Sequence, residues 1–380
     1  MKNNKNRKSN RWILLMFLPG IFLAFFGWKF LSRTKSYSFP VSPSDQIYVV
    51  AKSGITGFSY TDGQLAQTSD SKMEILKDGI NQCVHRAKIQ DRWLVASEEN
   101  RFGENGRVLS VDFENGKVQV KKTPVYAFTS AGESEEYYFV STSAYDNSYL
   151  AVYSPSLELI DTYTFESPVL LYDFSVQGQT VYLLGVPLAN NESYSTYWYE
   201  FEIKDDRLVL KQSGIFDQAE GNARYFGDSA LIGNLLVAPS PGSRGLVSGE
   251  RDYSSPAILV RNLVTGEINK IMTARAEPYN LYDLRDGYVA FDHASGSSSE
   301  LGFTLVNLAD LSSTYVPLET QPDPTGETEY FQSLSRLDDQ RIAALTTKAL
   351  WIYNYATGQM EASFLLPDHI EWPFEIWIRP

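Results

Sequence analysis

Three carboxylates of the 380-residue chain, Asp173, Asp228 and Asp283, sit inside or just after apolar alternating segments: "LLYDFSV", "YFGDSALIG" and "YNLYDLRDG". Acids gathered around one opening can divide general acid and general base work, as a glycoside hydrolase or a lyase requires. The same residue type also caps strand ends and turns, where its oxygens accept backbone N–H groups. With 46 Asp and Glu in the chain, accidental pairs abound. These three carry chemistry only if the fold brings them to a common wall.

The other reactive side chains offer less. His85, His293 and His369 are far apart and share no metal-ligand spacing, so neither a metal nor a cofactor is expected. Cys83 is the only cysteine, which rules out an intrachain disulfide; in "NQCVHRAKI" it reads as a small core residue rather than a nucleophile. "SRTK" at 32–35 has Ser-x-x-Lys spacing but forms the cationic flank of an apolar segment. "GDSALIG" at 227–233 resembles the Gly-Asp-Ser block of one esterase family. That block opens a helix and is followed late in the chain by Asp-x-x-His; here it sits in a β pattern, and Asp368 and His369 are adjacent. "NES" at 191–193 matches a glycosylation acceptor, which matters only in a eukaryotic secretory host.

Charge is placed unevenly. Residues 1–35 hold five Lys and three Arg and no acid. Of 33 basic residues, 25 therefore remain against 46 acidic ones, so residues 36–380 are formally −21. Such a body repels phosphate backbones and excludes nucleic acid as a partner.

The N-terminus reads as an address. Lys2, Lys5, Arg7, Lys8 and Arg11 precede "WILLMFLPGIFLAFFGW", which is uncharged from Trp12 to Trp28. Extended to residue 31 the stretch is 20 residues long, enough to span a bilayer, with Trp at both interfaces. The cation bias puts the N-terminus in the cytoplasm and the body outside. Small residues at the cleavage positions are wanting after "AFFGWKFL", so an uncleaved signal anchor is expected over a cleaved peptide. The expected division is a basic cytoplasmic tail at 1–11, a transmembrane signal anchor at 12–31, an extended tether at 32–45, and one large domain at 46–380.

That domain is repetitive. "LWIYNYATGQMEASF" at 350–364 is two apolar alternating runs around Thr357-Gly358, and "ILVRNLVTGEINKIM" at 258–272 repeats it around Thr265-Gly266. Similar hairpins turn at Asp62-Gly63, Asn115-Gly116, Ser156-Leu157, Asp205-Asp206 and Asp310-Leu311. The spacing runs from 41 to 60 residues, about 49 on average, which is the period of a β-propeller blade. Each hairpin follows a further apolar strand, from "IYVVAK" at 47 to "RIAALT" at 341. Inner strands are assigned to "VHRAKI", "VYAFTS", "LLYDFSV", "ARYFGDS", "YNLYDL" and "YFQSLS". The first blade lacks one. "EWPFEIWIRP" at 371–380 supplies it and is expected to lie beside "IYVVAK". The fold class is all-β: a seven-bladed propeller of four-stranded antiparallel blades, closed by the C-terminal strand and preceded by one transmembrane helix.

"LWIYNYATGQMEASF" and "ILVRNLVTGEINKI" resemble the blade hairpins of quinoprotein-like and YVTN-type bacterial β-propellers. The resemblance implies the fold. The tryptophan that ends such hairpins in quinoproteins is replaced by "EASF" and "NKIM", so no bound quinone is implied. The Gly-His and Trp-Asp pairs of WD40 repeats are missing too.

Loops between second and third strands are long and polar in the five middle blades, and long loops on a rigid scaffold carry function. Arg101, Tyr145, Asp146, Asn147, Asn191 and His293 lie in or beside them. The longest, 239–256, brings Arg244, Arg251 and Tyr253 into an acidic body. These nine are the candidate binding residues; no catalytic residue is assigned. The expected function is a non-enzymatic binding or scaffold module outside the cytoplasmic membrane, recognising a membrane or cell-envelope protein or an envelope glycan. The alternative is an envelope hydrolase or lyase using the channel acids.

Overall fold

The structure is a computed structural model. It describes residues 34–76, 79–80, 89–98, 107–122, 130–134, 136–143, 148–187, 196–219, 222–226, 228–245, 250–273, 278–293, 301–319 and 331–380. The apolar segment 12–31, Cys83 and His85 lie outside them. Among the described residues no helix is long and apolar enough to cross a membrane.

The described strands form seven antiparallel sheets, one per blade. In blade 6, Pro278–Asp283 leads to Tyr288–His293, Gly302–Asn307 and Ser312–Pro317 in simple succession. Blade 7 repeats this with Phe331–Arg336, Arg341–Thr346, Ala349–Asn354 and Met360–Leu365. The two middle strands of each blade are buried on both faces, because each sheet packs between two neighbours; Ala343, Leu345, Leu350 and Ile352 are all fully buried.

The hairpin turns explain the repeated phrase. The second turn residue has positive φ in all seven: Gly63 (77°), Gly116 (59°), Leu157 (61°), Asp206 (56°), Gly266 (75°), Leu311 (59°) and Gly358 (70°). At Gly116 the conformation coincides with close approach, since a Cβ there would lie 2.4 Å from the Phe39 carbonyl oxygen. The Asn that opens the two matching copies is equally structural. Asn262 Oδ1 accepts the N–H groups of Val264 and Thr265 at 2.9 and 3.0 Å, and Asn354 Oδ1 those of Ala356 and Thr357 at 3.1 and 3.2 Å.

Three expectations change. The tether is built into the domain from Thr34 onward: Lys35–Ser38 adds to the outer edge of blade 2, with Lys35 opposite Val120 and Ser38 opposite Lys117. An outer strand left bare would expose its hydrogen-bonding groups, and this one is covered. Asp45, fully buried, accepts from the Ser42 N–H and from the Tyr48 and Ser69 hydroxyls. The strand assigned to "ARYFGDS" is not an inner one. Asn222–Tyr225 pairs with Gly242–Gly245, and with Arg251–Asp252 they extend the outer strand of blade 4 into a seven-stranded sheet. The inner strand of blade 5 is the next apolar run, Ala230–Ile232. The 239–256 stretch is therefore in part a hairpin rather than one long loop.

Pro373–Ile378 is the innermost strand of blade 1. It pairs antiparallel with Ile47–Ala51, placing Ile378 opposite Ile47 and Ile376 opposite Val49. These four side chains pack with Ala343, Leu345, Leu350 and Ile352 of blade 7. On the other face Trp377 stacks on Phe113 of blade 2, centroids 5.4 Å apart. Ile376→Ala should therefore lower the urea-unfolding free energy by about 2–5 kcal/mol. Leu365→Ser, at a site 77% exposed, should stay within about 0.5 kcal/mol of wild type. Equal small effects at both sites would show that the pairing contributes little.

Candidate functional site

A cavity of about 900 Å³ occupies the channel where the inner strands turn back into the second strands. Every blade contributes to its wall. Asp91 and Trp93 come from blade 2, Glu136 from blade 3, Ser175 from blade 4 and Leu231 from blade 5. Asp283 and Arg285 come from blade 6, Ser335 from blade 7, and Glu375 and Trp377 from blade 1. Asp91 and Arg285 are held at positive φ, 52° and 66°, in the tight turns that end the inner strands. The Asp91 carbonyl is fixed by the Trp377 indole N–H at 2.7 Å.

The three acids singled out from the sequence part company here. Asp173 Oδ2 accepts the backbone N–H of Ser229 in the next blade at 2.7 Å, while its Oδ1 accepts the Phe174 N–H at 2.8 Å. Asp228 repeats the pattern: Oδ2 accepts the N–H of Leu281 in blade 6 at 2.7 Å, and Oδ1 the Ser229 N–H at 2.7 Å. Glu375 does the same between blades 1 and 7, accepting the Ser333 hydroxyl and, at 3.1 Å, the Ile376 N–H. All three carboxylates are buried.

A bulge sets the level of this ring of contacts. The inner strands of blades 4, 6, 7 and 1 each skip register, at 171/173, 278/281, 331/333 and 373/375. Asp173, Leu281, Ser333 and Glu375 are the residues that resume pairing. A bulge bends its strand and re-aims the next side chain, here across the gap between blades. Asp173 and Asp228 are thereby corrected from candidate channel acids to bonds between blades. Ser229, 2% exposed and tied to Asp173, is no nucleophile.

Asp283 differs. Its carboxylate opens onto the cavity, while the channel walls desolvate it and push its pKa above the ordinary value; the Arg285 N–H, at 2.7 Å, and the Arg285 charge pull the other way.

Of the nine candidate binding residues, the four described ones, Arg244, Arg251, Tyr253 and His293, do not line this cavity. Arg101, Tyr145, Asp146, Asn147 and Asn191 lie outside the described residues. Arg244 and Arg251 sit directly opposite each other on neighbouring strands of the blade 4 extension, and Tyr253 beyond them is exposed. His293 ends a blade 6 strand, where its Nε2 hydrogen-bonds the Thr304 hydroxyl at 2.8 Å and its ring meets Tyr315 edge-on. His369 pairs with Asp70 at 3.0 Å. Among the described residues no cluster of His, Cys, Asp and Glu could hold a metal. Asp91 and Glu136 were missed because they stand in the short polar turns "IQDRW" and "GESEEYY", which read only as turns.

No protein-family profile matches the chain, and no curated protein matches it. Solved structures do. A functionally unknown protein from Desulfotomaculum acetoxidans aligns at 15% identity with a TM-score of 0.54, over 88% of this chain and 99% of that one. A candidate 6-phosphogluconolactonase from Bacteroides fragilis aligns at 13% identity and 0.54, over 90% and 100%. A Lactobacillus plantarum protein aligns at 12% and 0.53, over 88% and 99%. At the level of fold, the resemblance to quinoprotein-like and YVTN-type bacterial propellers holds.

Two variants test the site. Asp228→Ala takes the carboxylate acceptor from the Leu281 N–H, while Ser229 N–H keeps Asp173, and should cost about 1–3 kcal/mol of stability, with Asp228→Asn losing less. Equal losses would mean that shape, not the acceptor, matters. For Asp283 the folded pKa exceeds the unfolded value near 3.9, so stability from this group is full below that pH and is lost as pH rises through the folded pKa. Asp283→Asn should match wild type at acid pH and be the more stable protein at neutral pH. A neutral-pH loss in urea titrations would contradict the assignment.

Proposed function

We propose that the protein is a non-enzymatic binding module whose ligand site is the channel cavity. In this reading the apolar segment 12–31 anchors it in the cell membrane with the N-terminus cytoplasmic and the propeller outside. The Pro373–Ile378 strand closes the ring, and the partner is a membrane or cell-envelope protein or an envelope glycan. One observation supports it above others: all seven blades wall a single cavity, while two of the three acids that a channel enzyme would need are spent on bonds between blades. Among the described lining residues the cavity also fits poorly with a phosphorylated substrate such as the name of the Bacteroides fragilis neighbour implies, since Asp91, Glu136, Asp283 and Glu375 stand against Arg285.

A photo-crosslinking residue at Ser335, on the cavity wall, should capture an envelope component in intact cells, and one at Val264, in a turn 75% exposed, should not. Equal capture at both would remove the cavity from the account. A second reading is favoured by one residue. The raised pKa of Asp283 suits a general acid, so the hydrolase or lyase alternative now rests there. Turnover of an envelope glycan by the purified protein, abolished in Asp283→Ala, would establish that alternative.

A further inference from the structure

We propose that the outer rim of blade 2 is a docking surface for anionic lipid headgroups, with Lys35, Lys117 and Lys122 as the contacting cations. The proposal rests on the anchoring of segment 12–31 stated above.

Reach is the first of two independent observations. Lys35–Ser38 is bound into the blade 2 sheet, edge to edge with Lys117–Lys122. Both flanks of this short strand are also held. The Thr34 hydroxyl donates to the Ser156 carbonyl of blade 3 at 3.2 Å, and the Phe39 N–H to the Gly116 carbonyl at 2.8 Å. The chain therefore enters the domain at a fixed point on the blade 2 rim. Four chain steps separate Lys35 from residue 31, where the apolar run ends. Fully extended, they cover at most about 14 Å. A headgroup layer is about 5–8 Å thick, and a Debye length at physiological salt is about 8 Å. Whatever path the four steps take, Lys35 stays within about one Debye length of the headgroup surface.

Charge is the second. Lys35–Ser38 and Lys117–Lys122 together hold four lysines and no acid. The outer strands of the other six blades are formally between −1 and +1; the longest, Arg207–Ala219, sets Arg207 and Lys211 against Asp217. In a body of formal charge −21, the most basic rim is the one that the chain ties closest to the apolar segment. Lys121 is ion-paired with Glu158 of blade 3 and is spent on joining the blades. Lys35, Lys117 and Lys122 are exposed. Lys35 stands opposite Val120 and Ser38 opposite Lys117, so the three cations share two adjacent strands about 4.8 Å apart. A lysine carries a compact charge on a flexible stem, and its attraction to an anionic leaflet acts over about a Debye length. The short connection puts headgroups, rather than an acidic protein, opposite this patch.

The test reconstitutes the full chain in vesicles and reads lysine acylation by a membrane-impermeant N-hydroxysuccinimide ester, residue by residue, with mass spectrometry. One set of vesicles is phosphatidylcholine, and the other an equal mixture of phosphatidylcholine and phosphatidylglycerol. Lys35, Lys117 and Lys122 should react at least about fivefold more slowly in the anionic vesicles, and molar salt should remove the difference. Lys204, exposed at the hairpin turn of blade 4, should react alike in both. Lys117→Gln combined with Lys122→Gln should bring Lys35 in anionic vesicles to within about twofold of its rate in neutral ones. An unchanged Lys35 rate in that variant would overturn the shared patch. Equal slowing in both kinds of vesicle would overturn recognition of the anionic headgroup and leave proximity alone. Full reactivity in both, in a chain that resists carbonate extraction, would overturn the docking while the anchor stands. A chain that carbonate strips from the vesicles would overturn the anchoring itself, and the docking with it.

Discussion

Seven inner strands each turn one hydrogen-bonding edge toward the channel, and that edge has no strand to pair with. A backbone N–H left bare there costs as much as a lost hydrogen bond. The chain answers with carboxylates thrown across the gaps between blades: Asp173 to Ser229, Asp228 to Leu281, and Glu375 receiving Ser333. Each also accepts the N–H of its own following residue, so one carboxylate ties two strands. These bonds fix how close neighbouring inner strands lie, and with that the width of the channel.

The consequence for function is a division of acids by depth. Those bonded between blades are buried, and their oxygens hold architecture. Asp91, Glu136 and Asp283 stand where other inner strands end and the chain reverses, and none of them bonds across to a neighbouring blade in the way Asp173 and Asp228 do. They remain available to something that enters the cavity. A rigid floor beneath a charged rim is a pre-organised site, because the acids do not have to be gathered when a ligand arrives.

Much of this architecture was legible in the sequence. Five of the seven hairpin turns could be read because positive φ favours Gly and Asp, which supply it at 63, 116, 206, 266 and 358; Leu157 and Leu311 adopt it as well. The innermost strand of the first blade could be read because Phe374, Ile376 and Ile378 alternate. Other features were hidden for physical reasons. Lys35–Ser38 is short, polar and followed by two prolines, so its pairing with blade 2 depends on an edge that exists only in the fold. Asn222–Tyr225 and Ala230–Ile232 are both short β-formers, and only sheet register decides which is inner. Asp173 and Asp283 look alike in sequence, each in an apolar alternating run. The bulge makes one a bond between blades and leaves the other at the cavity.

The most direct measurement is native-state hydrogen exchange at the amides of Ser229 and Leu281. Ser229 lies outside the strand ladder, and its N–H donates to the carboxylates of Asp173 and Asp228. If the carboxylates hold the inner ring, both amides exchange only through global unfolding, as slowly as the buried ladder amides of Ala343–Leu345. Exchange as fast as in an exposed hairpin turn such as Asp62–Gly63 would show that the inner strands are not tied, and the cavity would lose its fixed wall.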